Sequence, residues 1–249
     1  MLAGWLARGL PVGSVWVSDP HPSDWLRATG VHLNEDLPEC PAIVLVAVKP
    51  QMMAEALPTL RAMGDGSTVF VSVAAGTPIS FFEHTLGMQT PVVRAMPNTP
   101  AAISQGITAI IGNDAAGTSG LDEAEVLLSA VGEVVRLSEE AQIDAVTGVS
   151  GSGPAYVFHM IETMAAAGVA QGLPEAMALQ LARATVAGAG ALAIQSGEDP
   201  GQLRINVTSP NGTTQAALEV LMDETDGFPA LLRRAVAAAA DRSRELSRG

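Results

Sequence analysis

The chain has 249 residues, 48% of them hydrophobic and 16% charged, enough to bury one large core or two modest ones. Its 26 acidic and 13 basic residues leave a net charge of −13, which repels a phosphate backbone and argues against nucleic acid as a partner. Cys40 is the single cysteine, which excludes an intramolecular disulfide and a cysteine-based metal cluster and fits a reducing, cytoplasmic setting.

Met1 to Arg8 reads as a helix ended by Gly9, without the long apolar core and cleavage site of a signal peptide. No strand precedes it. A dinucleotide-binding fold opens with a strand, a glycine turn and then a helix whose N-terminus faces the pyrophosphate. The first strand and the turn, roughly 15 to 20 residues, are therefore expected to be lacking. From residue 12 to 138, short β-branched runs alternate with helical segments, the pattern of a parallel, doubly wound α/β sheet. Strands are predicted at Ser14 to Ser18, Ala42 to Val48, Ser67 to Val73, Val92 to Met96, Ile107 to Ile111 and Val134 to Leu137. Helices are predicted at Ser23 to Thr29, Gln51 to Met63, Pro78 to Leu86 and Leu121 to Val131. The continuous apolar run of residues 42–48 suggests a central strand covered on both faces.

After Leu137 the character changes to Ala-rich, Met-containing helical spacing, with helices predicted at Pro154 to Val169, Pro174 to Ile194, Thr213 to Met222 and Phe228 to Leu246. The small residues between Ala182 and Ala193 suggest a buried helix, between subunits or within the fold. No apolar run reaches the roughly 18 residues of a membrane span, so a soluble protein with no membrane partner is expected. Two domains follow, residues 1–138 and 139–249.

Four segments carry candidate chemistry. Val46-Ala47-Val48-Lys49-Pro50-Gln51 is a strand end entering a helix, the place where doubly wound sheets hold ligands, and it contains the only lysine. A plain turn remains the alternative reading. In Val93-Arg94-Ala95-Met96-Pro97-Asn98-Thr99-Pro100 the prolines stiffen a loop at a strand end, so Asn98 either faces a ligand or satisfies its own backbone. Residues 147–156, Thr-Gly-Val-Ser-Gly-Ser-Gly-Pro-Ala-Tyr, are a flexible stretch running into a helix capped by Ser152 or Gly153; without a P-loop lysine or preceding strand, they read as a helix start packed on the first domain. Asn206-Val207-Thr208-Ser209-Pro210-Asn211-Gly212-Thr213-Thr214 gathers hydroxyls and free N–H groups at a helix N-terminus, more than one cap needs, and suits a carboxylate. The four histidines lack metal-ligand spacing, so no metal is expected. Glu139 and Glu140 read as a solvated hinge, although Glu140 could face the site.

In this order, Val-Ala-Val-Lys-Pro-Gln, Val-Arg-Ala-Met-Pro-Asn-Thr-Pro, Gly-Val-Ser-Gly-Ser-Gly-Pro-Ala-Tyr-Val-Phe and Val-Thr-Ser-Pro-Asn-Gly-Thr-Thr resemble the pyrroline-5-carboxylate reductase family. The resemblance implies a Rossmann-like NAD(P)-binding domain over residues 1–138 and a helical substrate-binding and dimerisation domain over residues 139–249. It implies NADPH or NADH as cofactor, 1-pyrroline-5-carboxylate as substrate and L-proline as product, and self-association as a dimer or higher oligomer. By this likeness Val48, Lys49, Ala75, Asn98 and Asn206 face the cofactor, with Asp19 near the adenine ribose. Glu140, Ser209, Gly212, Thr213 and Thr214 face the substrate, and the Thr214 hydroxyl lies near the ring nitrogen. Asn211 stands where the family usually has glycine. Two rivals are a non-catalytic dimeric remnant, and a related hydroxy-acid dehydrogenase, which would require an acid/base lysine or histidine in the helical domain; that domain has no lysine.

Overall fold

The computed structural model describes residues 1–248, and the chain divides into two units, Met1–Gly151 with the end of the chain from Ala239, and Ser152–Ala238. The first unit opens with helix α1 (Leu2–Ala7), whose closing glycine, Gly9, has φ 94°. The Trp5 Nε1–H donates to the Leu127 carbonyl at 2.8 Å, fastening α1 to helix α5 (Gly117–Ser129). A short parallel pair, β1 (Trp16–Val17) and β2 (His32–Leu33), flanks helix α2 (Asp24–Arg27), which Ser23 caps by accepting from Leu26 N. His32 stacks on Trp16 and pairs with Glu35, a structural role.

The main sheet has five strands in the order β3 (Ile43–Val46), β4 (Val69–Ser72), β5 (Val92–Met96), β6 (Gly106–Gly112) and β7 (Gly132–Arg136). All neighbours are parallel except β5 and β6, which run antiparallel and correct the expectation of a wholly parallel sheet. The connection through residues 97–105 is shorter than the dozen or so residues that a parallel crossover requires. A second correction concerns β3, which lies at the sheet edge with only Val46 fully buried, where a doubly covered central strand was expected.

One core layer gathers Val46, Met53, Leu57, Phe70, Ile79, Phe82, Leu86, Val92 and Ile143; the other gathers Val69, Val71, Val93, Ala95, Ile110, Ala124 and Leu128. Alternation along β4 and β5 sends successive residues to opposite layers. The first layer is closed by α3 (Met53–Ala56), α4 (Ile79–Leu86) and α6 (Gln142–Val146). The helix predicted over residues 51–63 is instead a 3-10 turn, α3 and a second 3-10 segment, because Pro58 cannot donate into an α-helical ladder. Residues 147–151, expected to be flexible, form a π-helical turn that follows α6 directly. Ser152 has helical φ and ψ and makes no side-chain cap, so the expected cap is absent. The close packing expected there is present, since a Cβ on Gly151 would stand 2.8 Å from the Met96 methyl.

The second unit holds α7 (Gly153–Ala170), α8 (Glu175–Ser196), α9 (Pro200–Asn206) and α10 (Thr213–Leu221), then the start of α11 (Phe228–Arg248). Helix α9 is additional to the predicted helices; Asp199 caps it by accepting from Gly201 N and Gln202 N, with Pro200 in the first turn. Before α11, Asp223 accepts N–H bonds from Asp226 and Thr225, which hold its carboxyl below the ordinary range. Helix α8 is largely exposed in the single chain. Only Ala178 and Ala182 are buried on it, and an 18-residue window within its 22 residues reaches mean hydropathy 1.4, enough to cross a membrane by length and composition. The end of α11 returns to the first unit, where Ser243 Oγ donates to Asp144 Oδ1 at 2.6 Å.

Candidate active site

Three consecutive strands of the first unit end in residues that the sequence singles out. After β3, Val48 packs half-buried against the first core layer while Lys49 is exposed, its carbonyl accepting from Met52 N at 2.9 Å as the chain enters the Pro50 turn. After β4, Ala75 is exposed beside Gly76, whose φ of 74° suits glycine. A Cβ on Gly76 would stand 3.0 Å from the Leu246 carbonyl oxygen. After β5, Asn98 lies in an extended, half-buried loop between two prolines. Its Oδ1 accepts from Ile107 N at 3.0 Å, at the start of β6. The side chain is thus turned so that its acceptor serves the fold, leaving both Nδ2 hydrogens for another partner. Of the two readings open at Asn98, satisfaction of its own backbone is replaced by this longer-range bond.

Asp19 follows β1. Its backbone is clasped by Asn34, which accepts from Asp19 N at 2.8 Å and donates to Asp19 O at 2.9 Å, while Asp19 Oδ1 accepts from His21 N at 2.8 Å. Among the described residues no cation pairs with this carboxylate.

Glu140 is not a solvated hinge. Its Oε1 accepts from Arg94 Nη1 at 2.7 Å and from Ile79 N at 2.9 Å. Arg94, on β5, is 6% exposed and was not singled out from the sequence by itself. The signal was present, because an arginine inside the apolar run Val-Val-Arg-Ala-Met must find a carboxylate when buried.

In the second unit, Asn206 ends α9, donating to Glu198 Oε2 at 3.2 Å and accepting from Gln202 Nε2 at 2.8 Å. Ser209 opens a tight turn in which its carbonyl accepts from Gly212 N at 3.0 Å. Asn211 completes the turn at φ 58°, a left-handed conformation that asparagine tolerates, and its N–H donates to Gln215 Oε1 at 2.7 Å. Gly212 is the N-cap of α10 and contributes no side-chain bond, so the N–H groups of Thr213, Thr214 and Gln215 have no partner inside the helix. Thr208 bonds back to the Arg204 carbonyl and is occupied, whereas no hydrogen bond of the Ser209, Thr213 or Thr214 hydroxyls occurs among the described residues. A groove of about 430 Å³ beside this turn is lined by Arg204, Ile205, Thr208, Gln215, Leu218, Glu219 and Met222. No group of three or more His, Cys, Asp or Glu side chains among the described residues is arranged to hold a metal ion.

A twisted α/β sheet with polar and basic groups at its carboxyl strand ends, followed by a helical domain carrying a donor-rich helix start, defines the class of NAD(P)-dependent oxidoreductases. The family described as pyrroline-5-carboxylate reductase dimerisation matches residues 140–246. A pyrroline-5-carboxylate reductase of Pseudomonas aeruginosa is 40% identical over 253 aligned positions, covering 99% of this chain and 92% of the relative. Among solved structures, that of a pyrroline-5-carboxylate reductase from Coxiella burnetii superposes with a TM-score of 0.92 at 32% identity, covering 99% of this chain and 93% of the other. The Plasmodium falciparum pyrroline carboxylate reductase solved with NADP bound shares the fold, with a TM-score of 0.84 at 24% identity over 98% of this chain and 92% of the other. This chain belongs to the pyrroline-5-carboxylate reductase family and is an NAD(P)H-dependent oxidoreductase that self-associates. The shares covered lend no support to the expected lack of a first strand and turn.

Proposed function

We propose that the first unit holds the nicotinamide dinucleotide along the ends of β1, β3, β4 and β5, and that the turn of residues 209–212 with the first residues of α10 holds the carboxylate of 1-pyrroline-5-carboxylate. The observation that carries the substrate assignment is that start of α10. Three free N–H groups, the positive end of the helix dipole and the unengaged hydroxyls of Ser209 and Thr213 converge where the helix begins. A carboxylate is the ligand that such a set of donors favours.

The residues of the first unit fit a dinucleotide. Asn98 offers amide donors in an orientation fixed by Ile107, Lys49 offers an exposed cation, and Val48 and Ala75 offer apolar surface. Asn206, which the family resemblance assigns to the cofactor, ends α9 of the second unit with its carboxamide bonded to Glu198 and Gln202. When bound, the cofactor supplies the hydride that reduces the imine carbon. Thr214 donates a hydrogen bond to the ring nitrogen and relays the proton that converts the C=N bond into the CH–NH of proline. A threonine hydroxyl has too high a pKa to act as a strong acid, so this role is positioning and relay. Anchoring of the carboxylate holds the imine in one orientation, and such positioning can supply much of a rate gain.

Asp19 favours NADH. Its Oδ2 is left to accept a bond from a ribose 2′-hydroxyl, and residues 18–26 include a second acid, Asp24, but no lysine or arginine. A 2′-phosphate, carrying about −1.5 to −2 charge by analogy with other phosphate monoesters, would meet Asp19 first, with Arg27 at the far end of α2 the nearest cation along the chain. The chain acts as a dimer or larger assembly in the cytoplasm, through the exposed apolar faces of α7 and α8.

The assay is oxidation of NADH or NADPH by 1-pyrroline-5-carboxylate with proline as the measured product. Proline formation with at least one cofactor is expected. Absence of proline with both, in a preparation that still dimerises, would overturn the reading.

A further inference from the structure

We propose that Arg94 is a positioning residue that, through Glu140, holds together the two strand-end loops carrying Ala75 and Asn98; the proposal rests on the reading that these loops hold the dinucleotide. Arg94 lies on β5, where its Cα pairs with Ser72 of β4 and Ile111 of β6, at the centre of the main sheet. Its guanidinium is nearly inaccessible to water and donates to Glu140 Oε1 at 2.7 Å. The same oxygen accepts from Ile79 N at 2.9 Å, the first residue of α4.

That second bond meets a need set by the sequence. The N-cap position of α4 is Pro78, which has no side-chain acceptor, so the first N–H groups of the helix look elsewhere for a partner. Glu140, 61 positions further along, supplies a carboxylate at the positive end of the helix. One oxygen thereby ties three segments. The β4 to α4 loop carries Ala75 and Gly76, β5 leads within four residues from Arg94 to Asn98, and residues 139–142 lead into α6.

A surface salt bridge would hold such loops weakly. Here the cation is buried and its withdrawal from water must be offset by a partner in a fixed place. One acceptor oxygen takes donors from β5 and from the start of α4, the elements that flank the two loops, so the position of Glu140 sets the spacing of both. Among the described residues neither Ala75 nor Asn98 is hydrogen-bonded to the pair, so its influence on the dinucleotide passes through the backbone.

The test measures NADH and NADPH dissociation constants by fluorescence titration, steady-state constants for both substrates, and thermal unfolding. The variants are Glu140→Ala, Glu140→Gln and the double variant Arg94→Met with Glu140→Gln. Glu140→Ala is expected to raise the dissociation constant and KM for the dinucleotide about tenfold, the scale on which sub-ångström misplacement acts, while KM for the imine stays unchanged. Glu140→Gln keeps an acceptor for both donors and should restore most of the binding. The double variant keeps the α4 cap and removes both charges, so it should unfold near the wild-type temperature yet bind the dinucleotide as poorly as Glu140→Ala. Unfolding temperatures that fall while dinucleotide binding is unchanged would overturn the proposal, as would a raised imine KM with normal dinucleotide binding, which would place Glu140 on the substrate. Failure of the wild-type chain to bind either dinucleotide would instead overturn the cofactor reading on which the proposal rests.

Discussion

Asn98 offers a test in which stability and binding move in opposite order. Its Oδ1 accepts from the part-buried Ile107 N–H, and its Nδ2 is proposed to face the cofactor. Replacement by alanine removes both functions. The stranded Ile107 N–H costs about 1–3 kcal/mol, and for a chain of this length each kcal/mol moves the unfolding midpoint by about 2–4 °C. A fall of about 2–12 °C is therefore expected. Replacement by aspartate keeps an acceptor for Ile107, so the midpoint should stay within about 2 °C of wild type. The aspartate variant nevertheless loses the amide donor and brings a negative charge to a site that holds a pyrophosphate-bearing ligand. Loss of one hydrogen bond, about 1 kcal/mol, corresponds to about fivefold weaker binding, and repulsion adds to it. Differential scanning fluorimetry and dinucleotide titration on the same preparations give both orders. Alanine should be the less stable and aspartate the weaker binder. An aspartate variant that binds dinucleotide as wild type does would remove Asn98 from the cofactor site.

Asp19→Ser removes the acid proposed to read the ribose and should shift the ratio of NADPH to NADH affinity towards NADPH by about tenfold, the scale of one charge contact; an unchanged ratio would refute the assignment. Thr214→Ala should lower kcat while leaving the dinucleotide dissociation constant unchanged, and an unaltered kcat would end the proposed contact with the ring nitrogen. At Asn211, with φ 58°, glycine should be nearly neutral for stability, since relief of the left-handed backbone is offset by the entropy of the unfolded chain. Valine at the same position should raise the imine KM by distorting the turn beside Ser209, because a β-branched residue resists that conformation; wild-type kinetics would show that the turn does not hold the substrate.

The elements legible in the sequence were those whose periodicity and terminal signals agree. Strand β5 matches its predicted range, and α7, α8 and α10 match theirs within two residues, because each joins an apolar repeat to a proline or glycine boundary. Where local and global demands differ, the sequence reading went astray. Pro58 was overridden by the apolar spacing of residues 51–63, and the direction of β6 depended on the length of the preceding loop, which no strand pattern contains. Asp199-Pro200 was read as punctuation when the same pair is a helix start. The turn before α10 was legible because its chemistry is local. The brace at Arg94 was not, since Glu140 lies 46 positions from Arg94 and 61 from Ile79 and periodicity carries no record of which acid a buried arginine meets.

Helix α8 poses the remaining question of cover. A helix that is apolar on most of its surface is stable only when something other than water surrounds it, and Leu181, Leu192 and Ile194 are all more than half exposed in the single chain. Gly188 and Gly190 face open space, so the helix presents a surface onto which another backbone can pack closely. A bilayer would satisfy the apolar residues, but it would also enclose Arg183 near the middle of the helix at a cost of about 2.5–3.5 kcal/mol. A second copy of the chain is a cover without that cost, since a long arginine side chain at an interface between subunits can extend to solvent. The family's dimerisation region, residues 140–246, contains the whole of α8. A helix of this composition within a dimerisation region matches what an obligate interface is made of, a domain core cut in half.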